Sequence, residues 1–257
     1  MSIIDTHSHI YSEQFDEDRD EMIHRAFEAG VEYILMPNVD VESIDAMLAI
    51  EDKYPTQCIS MMGLHPTSVD EKYQEQLKIM RSWFDKRRFC AVGEIGIDLY
   101  WDKTFLSEQI KAFKTQIQWA IDLDLPIVIH ARDAFDEIFE VLDNMDITGL
   151  TGVFHSFTGN IEQAKKVLSY GCFKMSINGV VTFKNSGLGK VVEQLSIQDL
   201  VLETDAPYLT PTPFRGKRNE PAYTDLVSKK LAELFNMSQD EVNSITSASA
   251  KSLFKLK

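Results

Sequence analysis

Cysteine is nearly absent from this 257-residue sequence: Cys58, Cys90 and Cys172 stand far apart and never in a CxxC pair. So dispersed and odd-numbered a set excludes a disulfide framework and a cysteine-built zinc site, and predicts reduced core residues in a cytoplasmic protein. Positive charge is also in short supply, with 26 Lys and Arg against 40 Asp and Glu and a net charge of −14. That balance disfavours broad electrostatic adhesion to duplex DNA or anionic membranes, so a polyanionic substrate would have to be attracted locally. No apolar run approaches the roughly 20 residues that span a bilayer. The N-terminal stretch carries Asp5, Glu13, Asp16, Glu17 and Asp18 in place of a signal-peptide core. Linkers, low-complexity tracts and strong internal repeats are missing as well, so one domain over residues 1–257 is expected, with no membrane contact and no obligate protein partner evident.

What is present is alternation. Short β-rich runs at 3–4, 31–36, 58–63, 90–92, 127–129, 152–154, 172–177 and 200–202 are each followed by a helical pattern. Leu106, Ile110, Phe113, Ile117, Ala120 and Ile121 make the clearest amphipathic stretch, and Gly30 sits where a helix C-cap would fall. Two patterns close the chain, one through Val227, Leu231 and Leu234 and one opened by a capping box from Ser238 to Glu241. One would be an eighth outer helix and the other an additional C-terminal helix. A doubly wound open sheet would alternate in the same way, but eight strand candidates in 257 residues favour an α/β fold of the (β/α)8 TIM barrel type.

His7 and His9 lie two residues apart after Ile3 and Ile4. In extended chain this spacing puts both imidazoles on one side, a metal-ligand geometry, whereas a helical pair needs a spacing of four. In such a barrel, polar residues that follow the strands meet at one end. His7 and His9 follow the first strand candidate, His65 the third, Glu94 the fourth, His130 the fifth, His155 the sixth and Asp205 the eighth; His24 alone among the histidines does not. Taken singly, His130 and His155 read first as satisfied core histidines, and Glu94 could be a buried acid paired with Arg132. Their shared position favours a divalent metal pair, for which four histidines and two carboxylates, one of them bridging, are a fitting donor set.

These residues sit in the motifs Ile4-Asp5-Thr6-His7-Ser8-His9, Gly93-Glu94-Ile95-Gly96-Ile97-Asp98, Pro126-Ile127-Val128-Ile129-His130-Ala131-Arg132, Phe154-His155-Ser156-Phe157 and Leu202-Glu203-Thr204-Asp205-Ala206-Pro207. Through them the chain resembles, over nearly its whole length, the TatD family of metal-dependent deoxyribonucleases within the amidohydrolase-like barrels. The resemblance implies that one metal is held by His7, His9, Glu94 and Asp205 and the other by Glu94, His130 and His155, with Glu94 as the bridge. Tyr11 departs from the pattern, because such proteins usually carry Asp or Asn after the second histidine; it lies outside the ligand set and would alter the pocket rim.

The expected activity is that of a divalent-metal-dependent phosphodiesterase or deoxyribonuclease, trimming the ends of single-stranded or short DNA through a metal-bound hydroxide. Asp205 would act as ligand and proton acceptor. His65 would contact the phosphate or assist the leaving oxygen, unless it is only the turn residue before Pro66. Glu203 would orient a ligand or bind substrate, and Arg132 would contact phosphate or pair with a buried acid. Arg215, Lys217 and Arg218 form the dense basic cluster near the expected barrel rim, where they would bind backbone phosphates or simply face solvent. Imidazole donors favour Zn, Mn, Fe or Ni, while the resemblance implies Mg-dependent activity, with Mn as the other metal for turnover. A metallohydrolase acting on an amide, lactone or other ester, and a catalytically silent binding barrel, are the alternatives.

Overall fold

Why this sequence closes into a ring is visible in how each strand divides its side chains. The computed structural model describes residues 2–257. Its strands are β1 (Ile3–Asp5), β2 (Val31–Met36), β3 (Cys58–Ser60), β4 (Val92–Asp98), β5 (Ile127–Arg132), β6 (Gly152–Phe154), β7 (Phe173–Ile177) and β8 (Leu200–Leu202). Side chains alternate across each strand. Ile4, Leu35, Met61, Ala91, Val128, Val153 and Val201 form one apolar cluster, the filling of the barrel. Their neighbours Ile3, Ile34, Met36, Ile127, Ile129, Leu200 and Leu202 belong to a second, larger cluster under the helices. The expected runs of consecutive apolar residues thus have a physical cause, since both faces of every strand are covered.

The strands pair in parallel as β1-β2-β3 and as β4 through β8. A bridge between Met62 and Val92 joins the two groups on one side. On the other, Thr6 N–H donates to Leu202 O at 2.9 Å, Asp205 N–H to His7 O at 2.9 Å and His9 N–H to Ala206 O at 2.8 Å. The ring is therefore closed in strand order. Around it lie α1 (Arg19–Glu28), α2 (Ile44–Lys53), α3 (Tyr73–Trp83), α4 (Leu106–Leu123), α5 (Phe135–Asp143), α6 (Ile161–Ser169), α7 (Leu188–Val192) and α8 (Thr224–Phe235). The last helix, α9 (Gln239–Phe254), starts at the capping box of Ser238 and Glu241. It inserts Ala250, Leu253 and Phe254 into the interior cluster, closing the N-terminal end of the barrel.

Two strands run further than the apolar runs indicate. β4 continues to Asp98 and β5 to Arg132, so Glu94 and His130 lie within strands and do not follow them. β3, by contrast, stops at Ser60. The reason is chemical: near the mouth the interior positions hold polar groups that satisfy one another, and hydrophobicity ends before the strand does. Between Val92 and Ile95 the β4–β5 register shifts, a bulge that re-aims Glu94. Gly96 has φ of +147°, and a Cβ there would lie 2.1 Å from His130 O, so only glycine lets β4 and β5 approach this closely. Cys58 is buried as expected, but Cys172 is exposed, because β7 begins one residue later at Phe173 and leaves it in the preceding turn.

An ion-pair network ties the segment after β8 to α1. Arg218 bonds Asp18 with Nη1 at 2.7 Å and Nη2 at 2.8 Å, and Arg25 reaches Asp18 at 2.9 Å and Glu220 at 2.7 Å. The hydrogen bonds from Arg218, opposed by partial burial and joined by those from Arg25, hold the Asp18 carboxyl down to about 2. A carboxyl depressed in the folded state stabilises it fully above the unfolded value of 3.8 and loses that contribution as pH falls through the folded value. Asp18→Asn is accordingly expected to lower the thermal midpoint at neutral pH, with the gap to wild type closing between pH about 4 and about 2. Thermal denaturation across that range tests it; a gap independent of pH would contradict the pairing.

Candidate metal centre

Extended backbone beyond β1 carries His7 and His9 into the barrel mouth, where the β4 bulge presents Glu94, β5 presents His130, and the turns after β3, β6 and β8 add His65, His155 and Asp205. Ser156 and Asp205 take left-handed backbone conformations, φ of 48° and 58°, that turn the chain sharply at the ends of β6 and β8. Short polar side chains tolerate that region better than others do. The six residues expected as ligands thus lie together with His65, while His24 sits on α1 beside Phe27 and Tyr54.

Glu94 is the centre. Its carboxylate is buried and divided: Oε2 lies 3.1 Å from His7 Nε2 and 3.8 Å from His9 Nε2. Oε1 lies 2.8 Å from His130 Nδ1, 3.1 Å from His155 Nε2 and 3.3 Å from His65 Nε2. Asp205 Oδ1 stands 3.8 Å from His7 Nε2 and 3.5 Å from His9 Nε2. His7, His9 and Glu94 converge closely enough to share one cation, as do His65, Glu94 and His130. A cation also answers an unmet need. Neither ring nitrogen of the fully buried His7 makes a hydrogen bond, a costly arrangement that a cation facing Nε2 would relieve.

Electrostatics follow from the crowding. Burial alone would raise the pKa of Glu94, but His155, His65 and His7 and the hydrogen bond from His130 hold it well below the usual carboxylate range. Burial works against protonation of His155, yet Glu94 and Glu203 raise its pKa well above the ordinary value. His7 shifts down, through burial and then the neighbouring His155.

Groups behind the histidines decide which nitrogen each presents. Tyr11 Oη gives its single proton to Pro37 O at 2.6 Å, so toward His9 Nδ1, 2.9 Å away, it acts as acceptor. His9 therefore carries a proton on Nδ1, and Nε2 is the nitrogen it turns toward Glu94 and Asp205. Burial, reinforced by Glu94, keeps the Tyr11 phenol protonated well past its normal pKa. Tyr11 thus orients His9, a closer role than the pocket rim that its position after the second histidine suggests. Asp98 accepts from His130 Nε2 at 2.8 Å and so turns Nδ1 inward. Glu203 lies 3.3 Å from His155 Nδ1 and accepts from Ser156 N–H at 2.7 Å, leaving Nε2 of His155 facing Glu94. Such backing groups fix ligand orientation and basicity. His65 is the reverse case: Thr67 N–H donates to its Nδ1 at 3.1 Å, so in the neutral ring the proton is on Nε2, pointing into the site.

Asp98 and Asp5 were not singled out by their sequence context. With β4 extended to residue 98, Glu94, Gly96 and Asp98 alternate onto one face, and that periodicity is the signal for Asp98. Asp5 accepts from Thr204 N–H at 2.9 Å, Thr204 Oγ1 at 2.6 Å and His7 N–H at 3.3 Å, bracing the β1 end against the Asp205 loop.

The centre opens into a cleft of about 590 Å³ whose walls include Trp101, Arg132 and Tyr208. Glu94 is met by histidines, and Arg132 instead stacks on the Tyr100 ring at 3.8 Å. The remaining basic candidates are not among the residues that line this cleft: Arg215 stacks on Phe183 at 3.7 Å, Lys217 lies 5.7 Å from the Phe214 ring, and Arg218 is paired with Asp18.

A family model described as TatD related DNase matches residues 4–255. The chain belongs to this family. The uncharacterized metal-dependent hydrolase YabD of Bacillus subtilis is 37% identical over 255 residues, covering 99% of both chains. The 3'-5' ssDNA/RNA exonuclease TatD of Salmonella typhimurium is 31% identical, with 95% of this chain and 96% of that one covered. Among solved structures, the TatD homologue YjjV of Escherichia coli superposes with a TM-score of 0.93 at 30% identity, covering 99% of this chain and 98% of that one. The barrel is thus that of the TatD hydrolases.

Removing the acceptor behind His9 frees its tautomer. Tyr11→Phe is expected to weaken divalent-metal binding by about 10- to 100-fold without altering the circular dichroism spectrum. Competition against a chromogenic chelator measures this; unchanged affinity would show that Tyr11 does not govern His9.

Proposed function

We propose that this member of the TatD metal-dependent hydrolases is a nuclease that removes nucleotides from an end of single-stranded or short DNA. The observation that carries the reading is the divided Glu94 carboxylate, with Oε2 among His7 and His9 and Oε1 among His65, His130 and His155, at the floor of an open cleft. His7, His9, Glu94 and Asp205 would hold one divalent cation, and Glu94, His130 and His155 a second. When bound, such cations supply Lewis acidity and lower the pKa of water at the site. The imidazole-rich donors suit Mn, Zn, Fe or Ni, with Mg or Mn supporting turnover.

The protein's own residues supply the remaining functions. Burial would raise the pKa of Asp205, but the bond from His9 and the neighbouring His155 and His7 keep it low, so Asp205 is an ionised acceptor for the proton of the attacking water. His65, its pKa lowered by burial against the pull of Glu94, is a neutral donor through Nε2 toward a phosphate or leaving oxygen. Arg132 is exposed on the cleft wall, where it would meet the phosphate. Net charge of −14 favours a substrate that touches the protein at few phosphates, and the 3'-5' exonuclease name of the Salmonella relative suggests the direction of trimming.

Chelator-stripped protein resupplied with Mn or Mg should shorten an end-labelled single-stranded oligonucleotide from the 3′ end, and Glu94→Ala should reduce the rate to background. Metal binding without cleavage by the wild type would redirect the assignment to carbonyl substrates. The logarithm of binding affinity should fall with the logarithm of salt concentration at a slope of about −1, the value for one or two neutralised phosphates on a single strand. A slope near about −5 would mean an extended phosphate track and contradict end recognition.

A further inference from the structure

Few large apolar side chains are left in water, and most of those are gathered at one place. Exposed large hydrophobic residues among those described are Ile79, Tyr100, Trp101 and Tyr208, and Trp101 is the most exposed at 70%. Trp101 and Tyr208 line the cleft that contains His65, Glu94 and Asp205. Tyr100 packs edge-on against Trp101 at 4.8 Å, and the Arg132 guanidinium lies 3.8 Å from the Tyr100 ring and 5.3 Å from the Trp101 ring. This surface is anchored to the chemistry: Tyr100 N–H donates to Asp98 Oδ1 at 3.0 Å, and the same carboxylate holds His130.

Trp101 also walls a second pocket of about 300 Å³, with Thr67, Asp70, Asp98, Asp102 and Gln109 among its lining residues and no Lys or Arg. Such a lining repels phosphate while its oxygens accept hydrogen bonds from amino groups. A flat π surface, acceptor-rich walls and a cation on the catalytic side together match a nucleobase whose own phosphate points toward Arg132.

We propose that Trp101 and the acidic pocket beside it form a nucleobase subsite next to the hydrolytic centre, in which a base stacks on the indole. The proposal rests on the nuclease reading above and names how that substrate is gripped. Stacking of this kind tolerates any base, because each has a π face, and it selects unpaired strands, because a base held in a duplex cannot reach the ring.

The test compares wild type, Trp101→Ala and Trp101→Phe on single-stranded oligonucleotides in which each of the two end nucleotides is in turn normal or an abasic tetrahydrofuran residue. One abasic position should raise the wild-type KM. Trp101→Ala should raise KM for the normal strand by about 5- to 150-fold with kcat little changed, leave the abasic strand unaffected, and be rescued by Trp101→Phe. Equal KM for wild type and Trp101→Ala on the normal strand would overturn the subsite while leaving the nuclease assignment intact. An equal loss on normal and abasic strands would also overturn it, by showing a structural role. Wild type that cleaves neither strand would remove the nuclease reading and the subsite with it. Quenching of intrinsic fluorescence by the normal oligonucleotide in Glu94→Ala, absent in Glu94→Ala/Trp101→Ala, should report the same contact without turnover.

Discussion

A carboxylate taken out of water must be compensated where it lies, and Glu94 is almost completely buried. Unpaired, such a charge costs several kcal/mol. The compensation comes from imidazoles on separate strands and turns: His130 is beside Glu94 on the paired strand β5, whereas His7 reaches it from β1 across the barrel. Closure therefore assembles the centre, and the bulge at Gly93–Glu94 with the close approach at Gly96 is the local device that aims the carboxylate. Fold and site share one constraint: the mouth of the barrel is polar because Glu94 is there, and Glu94 is tolerated because the mouth is lined with its partners.

Around this charge the histidines are not interchangeable. Each is oriented from behind, His9 by a phenol, His130 by Asp98 and His155 by Glu203, so that which nitrogen faces Glu94 is fixed: Nε2 for His9 and His155, Nδ1 for His130. His65 is fixed the other way by Thr67. The same side chain is thus presented in different ways within a few ångströms, and the distinction resides in the groups behind each ring.

The parts of this picture that could be read from the sequence are those in which chemistry repeats along the chain. The His7–His9 spacing, the apolar runs and the return of a polar residue near the end of most strands all point to a barrel with a shared mouth. What escaped were features that depend on pairing across the fold. Asp98 was hidden because the expected strand ended at Val92 while β4 continues to Asp98, and the face Asp98 shares with Glu94 and Gly96 carries no apolar side chain to mark it. The basic residues at 215–218 look like a phosphate track, but nothing near them in sequence reveals that Asp18, two hundred positions earlier, claims Arg218. Tyr11 gave no sign of holding His9, because its partner Pro37 lies on another loop. Cys172 missed the core by one residue of strand boundary.

The terminal helix gives the molecule a polarity that the barrel alone does not define. With Ala250, Leu253 and Phe254 of α9 plugged into the interior cluster, the end opposite the metal centre is sealed. A polymer cannot be threaded through the ring. Whatever enters the cleft must leave from the same face of the barrel, so the arrival of substrate and the departure of product share one side of the molecule.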